Sequence, residues 1–328
     1  MRARWLILLA TLVWVTLTAA AQDSSGVRQS LDDAWWTGPM LAPSAATLPR
    51  GHLLIEPYLY DVITQSYYDH SGVRHSTPRA NGFGNLTYIN YGLLDRLTVG
   101  LIPTAGFNTV TGGPNSSGIR MGDLTVQAQY RLTKFSPGHW LPTMSVAVQE
   151  MLPTGKYDTL GDRPTNGLGA GVYTTTVAFY AQTYFWLPKN HRILRTRFNV
   201  LNGFSSSASV KDVSVYGTEQ GFRGHAQPGR SVYIDNSWEY SLTRRWVLAT
   251  DVTYRHDTNT RVAGYNVLDP APKSILLDSG ARDAFALAPA IEYSWSSKIG
   301  ILLGVRLFPA GRNTSASITP AIAINYVH

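Results

Sequence analysis

In GDLTVQAQYRLTK (122–134), Leu124, Val126, Ala128, Tyr130 and Leu132 fall on one face of an extended chain, and Asp123, Thr125, Gln127, Gln129 and Arg131 on the other. A period of two with one apolar and one polar face predicts a β-strand. The pattern recurs along the chain. In 245–255, Trp246, Leu248, Thr250, Val252 and Tyr254 oppose Val247, Ala249, Asp251, Thr253 and Arg255. In 232–242, Val232, Ile234, Trp238, Tyr240 and Leu242 oppose Tyr233, Asp235, Ser237, Glu239 and Ser241, with Asn236 alone out of place. Ile299, Ile301, Leu303, Val305 and Leu307 oppose Gly300, Leu302, Gly304, Arg306 and Phe308. Read this way, the chain holds about twelve strands: 51–64, 83–93, 96–108, 119–133, 141–152, 168–187, 192–204, 231–242, 245–257, 282–295, 298–309 and 315–327.

Alternation does not say which face is the interior. A soluble sheet packs its apolar face on a core, whereas an outer-membrane barrel turns it to lipid and keeps the polar face for a watery lumen. The connections favour the barrel. Tight links at Leu94-Asp95, Pro188-Lys189-Asn190, Thr243-Arg244 and Ser296-Ser297, with a longer one at 134–140, alternate with polar connections at 65–82, 109–118, 153–167, 205–230 and 258–281. The last link, Ala310 to Thr314, is short. Short periplasmic turns opposite long outer loops are characteristic of such barrels. An even strand count returns both ends of the barrel to the periplasmic side.

A weak repeat marks the tight turns: YGLLDRLTVG (91–100), YRLTKF (130–135), YSLTRRWVLA (240–249) and YSWSSKIGIL (293–302). It sets Tyr91, Tyr130, Tyr240 and Tyr293 at one height, joined by Trp246 and Trp295, where an aromatic ring buries its body and wets its polar tip.

The start of the chain sets the compartment. MRAR, the apolar run WLILLATLVWVTLTA and the small residues Ala19-Ala20-Ala21 predict a cleaved secretory leader at 1–21. Residues 22–50 have no sustained period, and we expect an irregular periplasmic or plug segment there, with Trp35-Trp36 as its docking point. The barrel domain is expected at 51–328. Lys and Arg total 28 against 21 acids, and 26 against 21 once Arg2 and Arg4 leave with the leader. This modest, scattered positive charge on an exported chain excludes nucleic acid as a partner. The chain has no Cys, hence no disulfide framework and no lipidated Cys.

No catalytic or metal signature stands out. The histidines (52, 70, 75, 139, 191, 225, 256 and 328) lack ligand spacing, although His70, His75 and Asp69 share one predicted outer connection. No Ser sits in a Gly-x-Ser-x-Gly elbow. NGLGAG (166–171) lacks the Lys-Ser/Thr of a phosphate loop and reads as loop and strand entry. We therefore expect no cofactor, no bound metal and no enzyme. The candidate functional residues are those of the polar face: Asp123, Gln127, Gln129, Arg131, Arg195, Arg197, Asp235, Glu239, Asp251, Arg255, Glu292 and Arg306. Charge of both signs on that face either lines a water-filled solute path or braces a nearly closed interior.

Several stretches together resemble one family of outer-membrane barrels: GHLLIEPYLY (51–60), YGLLDRLTVGL (91–101), GDLTVQAQYRL (122–132), LPTGKYD (152–158), ALAPAIEYSWSSKIGILLGVRLF (286–308) and ITPAIAINYVH (318–328). The family is the transporter group known as the MetA pathway of phenol degradation. The end departs from the usual terminal Phe or Tyr, since Val327 and His328 follow Tyr326. The resemblance implies passage of small hydrophobic or aromatic solutes. The expectation is thus an all-β transmembrane antiparallel barrel in the bacterial outer membrane. Its partners would be outer-membrane lipid, a small-molecule solute and, during insertion, the barrel-assembly machinery. A barrel hydrolase and a non-conducting structural or adhesion barrel are the alternatives.

Overall fold

The alternating stretches pair edge to edge until the last meets the first. The computed structural model describes residues 28–271 and 273–328; the expected leader at 1–21 lies outside them. The first strands are β1 (Leu53–Tyr68), β2 (Arg74–Leu94), β3 (Leu97–Ile102), β4 (Thr104–Val110), β5 (Arg120–Met121), β6 (Leu124–Thr133), β7 (Thr143–Leu152), β8 (Thr174–Trp186) and β9 (Ile193–Ser205). They continue as β10 (Ala208–Lys211), β11 (Phe222–Gln227), β12 (Ser231–Ser241), β13 (Trp246–Asp257), β14 (Arg261–Asn266), β15 (Ser274–Asp278), β16 (Arg282–Ser296), β17 (Ile299–Arg312) and β18 (Thr314–Val327).

Hydrogen bonding runs in the order β1-β18-β17-β16-β13-β12-β9-β8-β7-β6-β3-β2, and β2 pairs back to β1. Every neighbouring pair is antiparallel, so the sheet is a closed antiparallel barrel without a free edge. β3 and β4 are two halves of one strand, parted at Pro103, which has no N–H to give the ladder. Both halves pair with β2, which keeps the wall at twelve strands.

The faces sort as the sequence alternates. On β17, Leu303 is 49% exposed while Leu302 beside it is 1% exposed, and on β18 Ile322 and Ile324 are exposed while Ala321 and Ala323 are buried. Exposed Leu and Ile on every second position make an outward apolar band, the surface that lipid accepts at no desolvation cost. At the tight-turn end Trp246 packs at a tilt against Tyr293 with ring centroids 4.6 Å apart, and Tyr293 meets Trp295 edge-on at 5.4 Å.

Three connections differ from the expected loops. Residues 65–82 are mostly strand: β1 and β2 run on to Tyr68 and from Arg74, leaving only a turn at 69–73. Polar residues there hide the ladder from a hydropathy reading because it stands clear of the apolar band. The long connections 205–230 and 258–281 pair with each other as a second sheet, β10-β11-β14-β15, over a small core of Val210, Phe222, Ala226 and Val262. Conversely, 168–173 is loop rather than the start of β8.

Candidate functional site

On β9, β12, β13 and β16 the inward positions carry charge: Arg195 and Arg197, then Asp235 and Glu239, then Asp251, then Glu292. All six are buried. Arg195 donates from Nε to Glu239 at 2.6 Å and grips the second oxygen through Nη2, a two-point pairing suited to a planar guanidinium. Arg197 Nε lies 3.2 Å from the same carboxylate. Two cations therefore share Glu239. Glu292, Asp251 and Asp235 are left to find other partners.

Glu292 and Asp251 find them in residues 28–50. The Thr37 N–H and Oγ1 each donate to Glu292 Oε2 at 2.8 Å, and the Gly38 N–H donates at 3.1 Å. The Leu41 and Ala42 N–H groups donate to the two oxygens of Asp251, each at 3.2 Å. In return Asn199 Nδ2 donates to the Pro43 carbonyl at 3.0 Å, and Gln129 Nε2 donates to the Ser44 carbonyl at 2.9 Å. Hydrogen bonds to a charged group contribute about 1.5–3 kcal/mol each. Gly38 sits at φ +114°, open to glycine but not to a side chain, and this turn delivers its N–H to Glu292.

The path of this segment can be followed by its contacts. It enters at the tight-turn end, where Gln29 Oε1 accepts from the Ile193 N–H at 3.0 Å and the Trp35 N–H donates to Arg244 O at 2.9 Å. Trp36 lies under Arg195, 4.4 Å from guanidinium to ring centre. Met40 reaches a pocket of Tyr58, Ala288, Leu302, Ala321 and Ala323. The chain then descends, with the Leu48 N–H on Thr98 Oγ1 at 2.9 Å and the Arg50 N–H on Asp95 Oδ1 at 3.0 Å. Asp251 stands five residues above Trp246 on β13; at about 3.3 Å per residue and ~45° tilt this is roughly 12 Å, near the middle of the apolar band. Backbone therefore fills the lumen from the tight-turn end to about half its height.

Above it is open space. A cavity of about 690 Å³ faces the long connections, with Tyr233, Arg255, Asp257, Arg282, Arg306 and Asn313 among its walls. Arg255 and Arg282 both pair with Asp257, at 2.9 and 2.8 Å. Arg306 lies 4.6 Å over the Phe308 ring, and its buried Nε has no hydrogen-bond partner among the described residues.

The remaining candidate residues occupy three other places. Gln127 donates to Asn90 Oδ1 at 2.7 Å on the inward face. Arg131 is opposite the buried Ser145, near the tight-turn end. Asp123 is buried and holds a loop, accepting the Gly155 N–H at 2.9 Å and the Ala170 N–H at 2.7 Å. The structure thus separates the candidate residues into a filled cluster around Glu239, a vestibule with Arg255 and Arg306, and the structural Asp123. Of the three residues that share the first outer connection, His75 and Asp69 meet at 2.7 Å. The sequence reading omitted Glu56, whose carboxylate accepts from Asn325 at 3.3 Å, and Gln182, which accepts from Ser44 Oγ at 3.2 Å. Both lie at inward positions of strands where the alternation could have located them.

No family model matches the chain, and no curated protein matches it. Solved structures do. The COG4313 outer membrane channel from Pseudomonas putida F1 superposes with a TM-score of 0.65 at 15% identity, covering 88% of this chain and all of that one. The toluene transporters TodX of Pseudomonas putida and TbuX of Ralstonia pickettii align at 12% and 11% identity over 85% and 90% of this chain, and 90% and 95% of theirs. Their TM-scores are 0.37 and 0.40. At such identities the match to the COG4313 channel establishes the fold alone: this chain folds as an outer-membrane β-barrel.

Proposed function

We propose that the protein is an outer-membrane channel for small, apolar or aromatic solutes, and that residues 28–50 act as its plug. The observation that carries this is the division of the lumen into an open vestibule and a half filled by a segment of the chain's own backbone. A barrel needing only a braced interior has no use for a 690 Å³ chamber open to the outside. The solute class comes from the resemblance to the MetA-pathway family, and the COG4313 channel of the same fold is itself described as a channel. The vestibule fits that class in part, since Val172, Leu201 and Met151 share its wall with Arg306 and Tyr233.

Planar-bilayer conductance and liposome swelling, with toluene-like, phenolic and sugar solutes, test the reading on the full chain and on a variant lacking residues 28–46. The full chain is expected to conduct weakly and the variant several-fold more. A non-conducting structural or adhesion barrel is the rival, favoured by the outer sheet β10-β11-β14-β15. Absence of flux from both proteins would establish it. For the hydrolase alternative an activity-based serine probe is the test; among the described residues no serine hydroxyl is hydrogen-bonded to a histidine, the pairing that would activate it.

A further inference from the structure

Met40, Leu41 and Ala42 occupy a seat with two unlike walls. One is apolar: Tyr58, Ala288, Leu302, Ala321 and Ala323 enclose the Met40 side chain, with Tyr60 and Tyr88 packed behind them. The other is anionic. Asp251 receives only the backbone N–H groups of Leu41 and Ala42. Asp235 is on the next strand, β12, where its neighbour Asn236 pairs with Val252 and Ser237 with Asp251. Its Oδ2 accepts from Tyr233 at 3.4 Å, and its Oδ1 is buried with no partner. Both acids are 0% exposed, and among the described residues neither enters a salt bridge. Arg197, the nearest cation on β9, is already committed to Glu239 and to the Ala42 carbonyl, and Arg306 on β17, the other guanidinium that faces these acids, forms a salt bridge with neither.

We propose that this seat, once the segment withdraws, binds small amphipathic cations: a primary ammonium on Asp251 and Asp235, with an attached aryl or alkyl body in the Met40 pocket. The inference rests on the reading of residues 28–50 as a plug. The segment is then a ligand in cis. It supplies N–H donors to the carboxylate and an apolar side chain to the pocket, but brings no positive charge. An ammonium carries three donors and the missing charge together. It also reaches Asp235 Oδ1, which the segment leaves unmet. Buried carboxylates in no ion pair gain more from such a partner than from neutral donors.

The test uses detergent-refolded protein at pH 7, checked for folding by heat-modifiable gel migration, and calorimetric titration with benzylammonium, benzyl alcohol and benzoate. The variant lacking residues 28–46 is expected to bind benzylammonium at least tenfold more tightly than benzyl alcohol, and not to bind benzoate. The full chain, with the seat filled, is expected to bind none. Asp251→Asn in the deletion background should weaken benzylammonium binding about tenfold and leave benzyl alcohol unchanged. Should the deletion fail to refold, the double variant Leu41→Pro, Ala42→Pro removes both N–H donors while keeping the segment, and the same preference is expected. Equal affinity for the ammonium and the alcohol, or no binding at all to the opened seat, overturns the proposal. Bilayer conductance of the same variants reads the plug separately. A rise in conductance without ammonium preference rejects the seat and keeps the plug; ammonium binding without a rise does the reverse.

Discussion

Arg197 donates through Nη1 to the carbonyl of Ala42 at 2.7 Å while its Nε lies 3.2 Å from Glu239. One side chain thus ties the barrel's buried ion cluster to the segment that enters the lumen. Arg197→Ala removes both ties and leaves Glu239 with Arg195 alone. Breaking a buried ion pair from one side costs about 3–5 kcal/mol. We expect a loss of that order in urea unfolding of the refolded barrel, together with higher conductance. Unchanged stability would mean the cluster is hydrated in solution.

Water access should divide the lumen at the height of the segment. Ser237 is 0% exposed beneath it, whereas Thr174 is at the vestibule wall. The chain has no native Cys, so single cysteines report cleanly. A charged thiol reagent should label Thr174→Cys readily and Ser237→Cys at least tenfold more slowly. Deleting residues 28–46 should bring the two rates together. Rapid labelling at 237 in the full chain would show that the segment does not stay seated.

The outward face has its own signature. Arg in place of Leu303 should destabilise the barrel by about 2–4 kcal/mol if that position sits near the bilayer midplane, and Val126→Arg similarly. Gln127→Arg should be mild, because Gln127 faces inward beside Asn90 and Gln149. Unfolding in lipid vesicles measures the difference, and equal costs at 126 and 127 would reverse the assignment of faces.

Acid should act on the outer sheet through Asp212. The Arg223 guanidinium at 2.8 Å and the Gly221 N–H at 2.9 Å hold its carboxyl below the usual carboxylate range. A pKa lower in the folded than in the unfolded state stabilises at pH values above the unfolded value of about 4 and loses its effect as pH falls through the folded one. Hydrogen-exchange protection factors in β10 and β11 should therefore be level from pH 7 down to about 4 and fall only below it. In Asp212→Asn that acid-dependent step should disappear.

Strand number, face assignment and the asymmetry of connections were all readable because alternation and turn residues are local. The boundaries of β9, β13 and β16 fall within a residue or two of their sequence reading for that reason. The outer sheet was not readable: β11 and β14 pair across 34 to 44 residues, and short polar strands carry no hydropathy signal. Nor was the role of the inward charges. Glu292 and Asp251 alternate as lumen residues should, but apart from the Thr37 hydroxyl their partners are main-chain N–H groups of Thr37, Gly38, Leu41 and Ala42, which any sequence would supply. The lack of a sustained period in this stretch and Trp35-Trp36 were the sequence's only pointers to a plug.

The pairing of β1 with β18 sets an order of events as well as a shape. The Leu53 N–H donates to the His328 carbonyl at 3.1 Å and the His328 N–H returns to Leu53 at 2.9 Å, so the closing seam needs the last residues of the chain. Residues 28–50 lead directly into β1, and their partners on β9, β12, β13 and β16 come from the later part of the sequence. The leading segment must therefore wait, already exported and unsatisfied, until most of the wall exists. Its docking and the zipping of the seam become late steps of maturation, and a chain truncated before β18 would leave the seam open while keeping the carboxylates that receive the segment.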